Sequence, residues 1–408
     1  MVVLSGAALV LPDRMLSPGT LVIDGDRIVD VRSDAPTGHA PSLFHGHYIV
    51  PGFIDVHVHG VDGIDSLDAG DAVASIARRL PRYGVTAFCP TTVACEPFAL
   101  RGVLDQVRLA RAAPAAHSAR VLPAHLESNF INPEYRGAQP AACLRSPKGS
   151  RSVVAEREAS AERGASADRS FSAQDILDEI ARAEPDVAIV TLAPELEGGL
   201  DLVAALTARG HRVSLGHSAA TYDEALAAIA AGARQATHLF NRMPPLHHRA
   251  PGLAGAVLQA EEVAAEIICD GVHVHPALVR AAIAAKRPSR VMAITDASAA
   301  AGLPIGSHAR LGGQDIVAGD AAAHLADGTL AGSTLTMDRA FQMLVERIGL
   351  SLVDAATLCS TTAARELGLV GHGVLKPDAV ADVVVLDGHF RVVQTYVAGQ
   401  LVYTRNNG

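Results

Sequence analysis

Eight short runs of β-forming residues, separated for the most part by alanine-rich stretches of helical pattern, set the strongest limit on what this chain can become. The runs fall at 49–59, 85–93, 120–127, 187–195, 212–217, 236–240, 265–270 and 291–296. Helical stretches such as 72–80, 200–208, 222–231 and 276–286 lie between most of them. Strands that alternate with helices pair in parallel, and eight of them argue for a closed (β/α)8 barrel over an open doubly wound sheet. The expected fold class is therefore α/β, with a TIM-type barrel at its centre.

The two ends of the chain have another style. Residues 20–23 and 27–31 flank Asp24-Gly25-Asp26, a hairpin signal, and the last thirty or so residues again read as short strands joined by tight turns. A small β-sandwich formed by both termini is expected, from 1–50 together with 375–408, around a barrel at 51–374. One stretch, 145–170, is rich in Ser, Arg, Glu and Ala and poor in large apolar residues. It buries too little surface to offset ordering and is expected to be a mobile surface insertion.

Composition narrows the function classes. The 408 residues can bury a large core, but aromatics are only 4% with no Trp, so Ala, Val and Leu must pack it. A net charge of −9 offers no general basic face for nucleic acid, and any anionic ligand needs a local cationic cluster. The five cysteines form no CxxC pair and are odd in number, which points to reduced thiols in a cytosolic protein. Cys89 and Cys269 read as small buried residues. The N-terminus lacks a basic leader pattern and no apolar run is long enough to span a bilayer, so a soluble cytoplasmic protein without a membrane partner is expected.

The chemistry gathers at the C-terminal ends of the predicted strands. In PGFIDVHVHG, residues 51–60, His57 and His59 lie two apart on a strand and so point to one face. His125 and Glu127 end the third strand, His217 the fifth, His238 sits on the sixth, and Thr295-Asp296 ends the eighth. Taken singly, His217 and His238 are ordinary core histidines, Asp296 a helix cap and Glu127 a loop residue. Five strand ends around one barrel mouth make coincidence a poor account. Imidazole and carboxylate together suit Zn²⁺, with Fe²⁺, Mn²⁺ or Co²⁺ as alternatives. Six potential ligands, His57, His59, Glu127, His217, His238 and Asp296, exceed what one tetrahedral ion needs, and two ions bridged by Glu127 would use them all. Asp296 is then the natural acid/base for a metal-activated water.

These residues stand in longer segments that resemble the amidohydrolase superfamily, and within it the N-acetylglucosamine-6-phosphate deacetylase family. The segments are PGFIDVHVHG, HLESNFINPEYRGAQP, TLAPE, SLGHSAATYDEA, ATHLFNRMPPLHHRAPGLAG, ICDGVHVHP, ITDASAAAG and GTLAGSTLTM. The resemblance implies a distorted (β/α)8 barrel with a β-sandwich from both termini. It implies hydrolysis of the acetamide of a 2-acetamido-sugar 6-phosphate in amino-sugar metabolism. It assigns Glu127, His217 and His238 to the metal, His57 and His59 to a second metal, and Asp296 to acid/base catalysis. Asn241 corresponds to a phosphate-binding residue, His273 to a substrate-binding histidine, and Leu335 to Met337 to a loop beside the sugar. Arg249 corresponds to a phosphate-binding arginine donated across a homodimer interface.

Three positions depart from the family pattern. Ser128-Asn129 follow Glu127 where Gly-Pro is usual, Arg242 replaces an alanine beside Asn241, and Gln139 stands where some members place a carbonyl-polarising histidine. Ser128, Gln139 and Arg242 are accordingly expected to touch substrate. These changes leave open the galactosamine epimer or another N-acyl or cyclic amide as substrate. Cyclic amidases that carbamylate a lysine after strand four are disfavoured, because that strand ends Thr191-Leu192-Ala193-Pro194-Glu195. His275, before Pro276, reads as a surface residue where a helix begins.

Overall fold

The computed structural model describes residues 1–33, 44–148 and 171–405. Its centre is a ring of eight parallel strands: β1 (Phe53–Val58), β2 (Val85–Thr92), β3 (Ala124–Glu127), β4 (Val187–Leu192), β5 (Arg212–Leu215), β6 (Gln235–Ala236), β7 (Ala264–Ile268) and β8 (Val291–Ile294). Each pairs with the next in chain order. The ring closes where Asp296 N donates to His57 O at 3.0 Å and His59 N donates to Ala297 O at 2.9 Å. Every residue of β1, β2, β7 and β8 is buried, as expected of parallel strands covered on both faces.

Helices cover the outside, and their starts are written locally. Thr221 and Glu224 form a capping box on Tyr222–Ala230, and Ser172 and Asp175 do the same for Ala173–Arg182. Pro276 opens Pro276–Lys286 behind His275, whose Nδ1 accepts from Ala277 N at 3.2 Å. His275 is thus a helix cap rather than a ligand.

Both chain ends join one seven-stranded sheet. Its order is Gln400–Thr404, Val392–Val397, Val383–Leu386, Tyr48–Pro51, Val2–Val10, Met15–Asp24 and Arg27–Ser33. The Asp24/Arg27 pair closes the expected hairpin, with Gly25 left-handed at φ 57°. Leu4, Leu9, Leu21, Ile28, Ile49 and Val385 form this sheet's own core. The run at 49–59 is two strands, not one. Gly52 separates Tyr48–Pro51 in the terminal sheet from β1 in the barrel, and a Cβ there would meet Thr86 Oγ1 at 2.3 Å.

A four-stranded antiparallel sheet follows β8 and has no counterpart in the expected layout: His308–Leu311, Gln314–Ala318, Ala322–His324 and Leu330–Ser333. Its first hairpin turns on Gly312-Gly313, both at positive φ. Of the expected insertion at 145–170, residues 149–170 lie outside the described residues. Arg145 itself is buried, its guanidinium 3.7 Å from the Phe171 ring centroid and its Nε donating to Phe171 O at 2.8 Å. It belongs to the packed body. Among the described residues, no helix is long and apolar enough to cross a membrane.

Candidate active site

The strand ends deliver six side chains to the barrel mouth. Glu127 Oε1 lies 2.8 Å from both His217 Nε2 and His238 Nε2, and those two nitrogens are 3.0 Å apart. On the other side, His57 Nε2 and His59 Nε2 are 3.2 Å apart, and each faces Asp296 Oδ1, at 3.3 and 3.2 Å. Glu127 Oε2 is 3.4 Å from His59 Nε2, so one carboxylate touches both halves of the cluster. The backbone is bent to achieve this. His217, His238 and Asp296 all sit at positive φ, an uncommon conformation for such residues and one that collects at functional sites.

The donor set fits a cation on chemical grounds. His217 Nδ1 lies 2.7 Å from Tyr135 O, which can only accept, so the proton sits on Nδ1 and Nε2 turns a lone pair toward Glu127. His57 Nδ1 donates to Glu266 Oε2 at 2.9 Å in the same way, leaving its Nε2 lone pair facing His59 and Asp296. Acceptor thus faces acceptor twice within hydrogen-bonding distance, a repulsive arrangement unless positive charge lies between. His57, His59 and Glu127 form one such group and Glu127, His217 and His238 another. Without a bound ion, protons supply that positive charge. Burial opposes charge on His57 and His59, but the surrounding carboxylates overcome it and raise them to about 8 and about 10. Burial likewise opposes ionisation of Glu127 and Asp296, yet the facing imidazoles hold Glu127 well below the usual carboxylate range and lower Asp296 as well.

Glu266, on β7, escaped the sequence reading, and it orients His57. Its Oε2 accepts from His57 Nδ1, and its Oε1 accepts from Gln235 Nε2, whose own Oε1 accepts from Arg212 Nε at 2.6 Å. A fully buried carboxylate inside an otherwise apolar strand, Ala264-Ala265-Glu266-Ile267-Ile268, was the available signal. Asp55 on β1 is its counterpart, accepting from Thr295 Oγ1 at 2.6 Å and pushed up to about 7 by burial. His125 lies deeper, its Nδ1 on Val56 O and its Nε2 on Thr191 Oγ1 at 2.9 and 2.8 Å.

Above the cluster opens a cavity of about 430 Å³. Asn241, Arg242 and His273 stand in its wall as the sequence suggested, and His273 Nδ1 is held by Asp270 at 2.6 Å. Gln139 is also in the wall, but its amide is engaged at both ends: Nε2 donates to Glu127 Oε2 and Oε1 accepts from Ala94 N. It orients the Glu127 carboxylate instead of standing free for a carbonyl. Ser128 does not reach the cavity. Its hydroxyl is buried, donating to Thr191 O at 2.6 Å and accepting from Phe130 N. Leu335 and Met337 are buried away from the wall, and the inserted sheet supplies Leu311, Leu330 and Gly332 in their place. Arg249 is exposed and lies outside its own chain's cavity.

A parallel eight-stranded barrel whose mouth carries two histidine groups sharing a carboxylate, beside an aspartate, has the architecture of a metal-assisted hydrolase. The model of the Amidohydrolase family matches residues 48–402, and the chain belongs to that family. A rat N-acetylglucosamine-6-phosphate deacetylase is 37% identical over 96% of this chain and 90% of its own length. An N-acetylgalactosamine-6-phosphate deacetylase of Escherichia coli O157:H7 is 36% identical over 86% of this chain and 87% of its own. A solved variant of the N-acetyl-D-glucosamine-6-phosphate deacetylase of Mycobacterium smegmatis, in complex with N-acetyl-D-glucosamine-6-phosphate, superposes with a TM-score of 0.86 at 33% identity, covering 99% of each chain.

Proposed function

We propose that this protein hydrolyses the N-acetyl group of N-acetylglucosamine-6-phosphate to glucosamine-6-phosphate and acetate. The observation that carries the reading is the acceptor-against-acceptor packing around Glu127, set beside Asp296 in a cavity wall, in a chain similar along nearly its full length to deacetylases of this kind. His57, His59, Glu127, His217 and His238 would hold one or two divalent ions, Zn²⁺ first by donor type. Such an ion, when bound, lowers the pKa of water from about 15.7 to about 7 and polarises the scissile carbonyl.

The chain's own residues do the rest. Asp296, kept ionised by its imidazole neighbours, accepts a proton from the attacking water as its oxygen bonds to the acetyl carbon. It returns that proton to the amide nitrogen as the C–N bond breaks, so that amine and acetate leave. Glu266 and Gln139 hold His57 and Glu127 in register meanwhile. His273 binds the sugar, Asn241 binds its phosphate, and Arg249 reaches the phosphate from a second copy in a cytoplasmic homodimer.

A second reading, deacetylation of N-acetylgalactosamine-6-phosphate, is favoured by the similarity to the Escherichia coli O157:H7 enzyme. The experiment is one substrate panel on one purified sample, with metal content measured alongside. Fastest turnover of N-acetylglucosamine-6-phosphate by metal-containing protein is expected, ahead of its galacto epimer and the unphosphorylated sugar. A protein that binds no transition metal, or that turns over none of the three after metal is added, would refute the reading.

A further inference from the structure

The cavity has two poles. At its floor stand Glu127, Asp296 and the histidines that would hold metal, and Arg242 stands in the wall. With the floor given over to the metal-binding groups, a phosphate dianion bound in this cavity needs a cation of its own in the wall. Among the described residues, Arg242 is the only Lys or Arg in the wall. Its carbonyl accepts from Ser218 N at 3.1 Å, but its guanidinium has no hydrogen bond or ion pair among the described residues, although most arginines of the barrel are engaged, such as Arg212 with Glu366 and Arg120 with Asp382. A half-buried guanidinium with its donors unspent, facing a cavity, is poised for a ligand from outside.

Its position is fixed from two sides. The backbone at Arg242 is left-handed, at φ 51°, which aims the side chain differently from a residue in an ordinary turn. Beneath it lies Gly137, itself at φ 61°, where a Cβ would come within 2.5 Å of Arg242 Nε and 3.0 Å of Cζ. The guanidinium therefore rests on bare backbone, and any side chain at 137 would push it off. His273 lines the same cavity, its Nδ1 held by Asp270 at 2.6 Å.

We propose that Arg242 reads the phosphate of the substrate from within its own subunit, so that each active site carries a phosphate clamp of its own. The proposal rests on the reaction proposed above. It makes phosphate recognition independent, in part, of a partner's Arg249. A planar fork of donors also favours two-point contact with the dianion over the single point a lysine would offer.

The test uses metal-loaded full-length protein and the variants Arg242→Gln, Arg242→Lys and Gly137→Ala. Arg242→Gln is expected to raise KM for N-acetylglucosamine-6-phosphate about 10- to 100-fold with little change in kcat, the scale of losing charge-assisted hydrogen bonds. The preference for phosphorylated over unphosphorylated sugar should shrink by the same factor, and competitive inhibition by inorganic phosphate should weaken in parallel. Arg242→Lys should recover part of the loss, and Gly137→Ala should raise KM in the same direction by displacing the guanidinium. A wild-type KM in Arg242→Gln, or an equal loss on the unphosphorylated sugar, overturns the assignment while leaving the reaction intact. A wild type inactive on the phosphosugars overturns the reaction instead. Calorimetric binding of inorganic phosphate to wild type and Arg242→Gln then decides Arg242 alone, with equal affinities rejecting it.

Discussion

Replacing Glu266 by Gln should weaken metal at the His57 side of the cluster while leaving the His217 side in place. Glu266 and His57 side chains are both 0% exposed, and their hydrogen bond is 2.9 Å. Burial opposes the Glu266 charge, but His125, His57 and His238 more than offset it, so the carboxylate is ionised and the bond is charge-assisted. Such bonds contribute about 1.5–3 kcal/mol. The substitution keeps the shape but not the acceptor pattern. To accept from His57, the new amide must turn its NH2 toward the Gln235 NH2, and Gln235 cannot flip without losing its bond from Arg212 Nε. The His57 tautomer is therefore no longer enforced, and a loss of about 10- to 100-fold in metal affinity follows. The assay is titration of apo-protein against a competing chelator, with stoichiometry read by elemental analysis. The apo-variant should also unfold at lower denaturant concentration than wild type, since a buried charge-assisted bond is lost, and metal affinity is therefore compared under conditions where both proteins are folded. Wild-type affinity for all ions, or an equal weakening on both sides of Glu127, would refute the reasoning.

Other outcomes follow from the same geometry. Asp296→Asn should keep its metal, measured by elemental analysis, yet lose roughly 10²–10⁴-fold in kcat, and near-normal turnover would remove Asp296 from proton transfer. Ser128→Ala should cost about 1–3 kcal/mol in urea unfolding, since Thr191 O and Phe130 N lose a buried partner, with KM unchanged. Lys286 is lowered to about 8, first by burial and then by Arg290, whereas the unfolded chain keeps it near 10.5. Between those values the unfolded state binds the extra proton, so this residue makes stability rise with pH across that window and penalises the fold below it. Lys286→Met should flatten that rise relative to wild type in urea unfolding at several pH values.

The barrel was legible because each strand is a short apolar run closed by a polar or glycine stop, and the hairpin because Asp24-Gly25-Asp26 is a turn signal between two β-forming runs. That His57, His59, His217 and His238 gather at one barrel mouth was legible from strand ends alone. What failed was orientation. Glu127 and Ser128 are neighbours, and neighbours on an extended chain point to opposite faces, so a motif that includes both cannot tell which one meets substrate. Leu335 and Met337 failed similarly, turned inward where the chain enters a helix. Glu266 was passed over because a lone acid in an apolar strand shows no partner until the barrel closes and brings His57 to it. The inserted sheet was missed because its strands are three to five residues long and half exposed.

The one-residue passage at Gly52 ties distant parts of the chain together. Val50, Val384, Leu386 and Val392 of the terminal sheet pack into the same core as the barrel strands, and β1 leads from that sheet straight to His57. With no slack between the two, the last strands of the protein act as the floor joists of the catalytic chamber. Trimming the C-terminus at Val392 would loosen ligand spacing more than three hundred residues upstream, before any catalytic side chain had been touched.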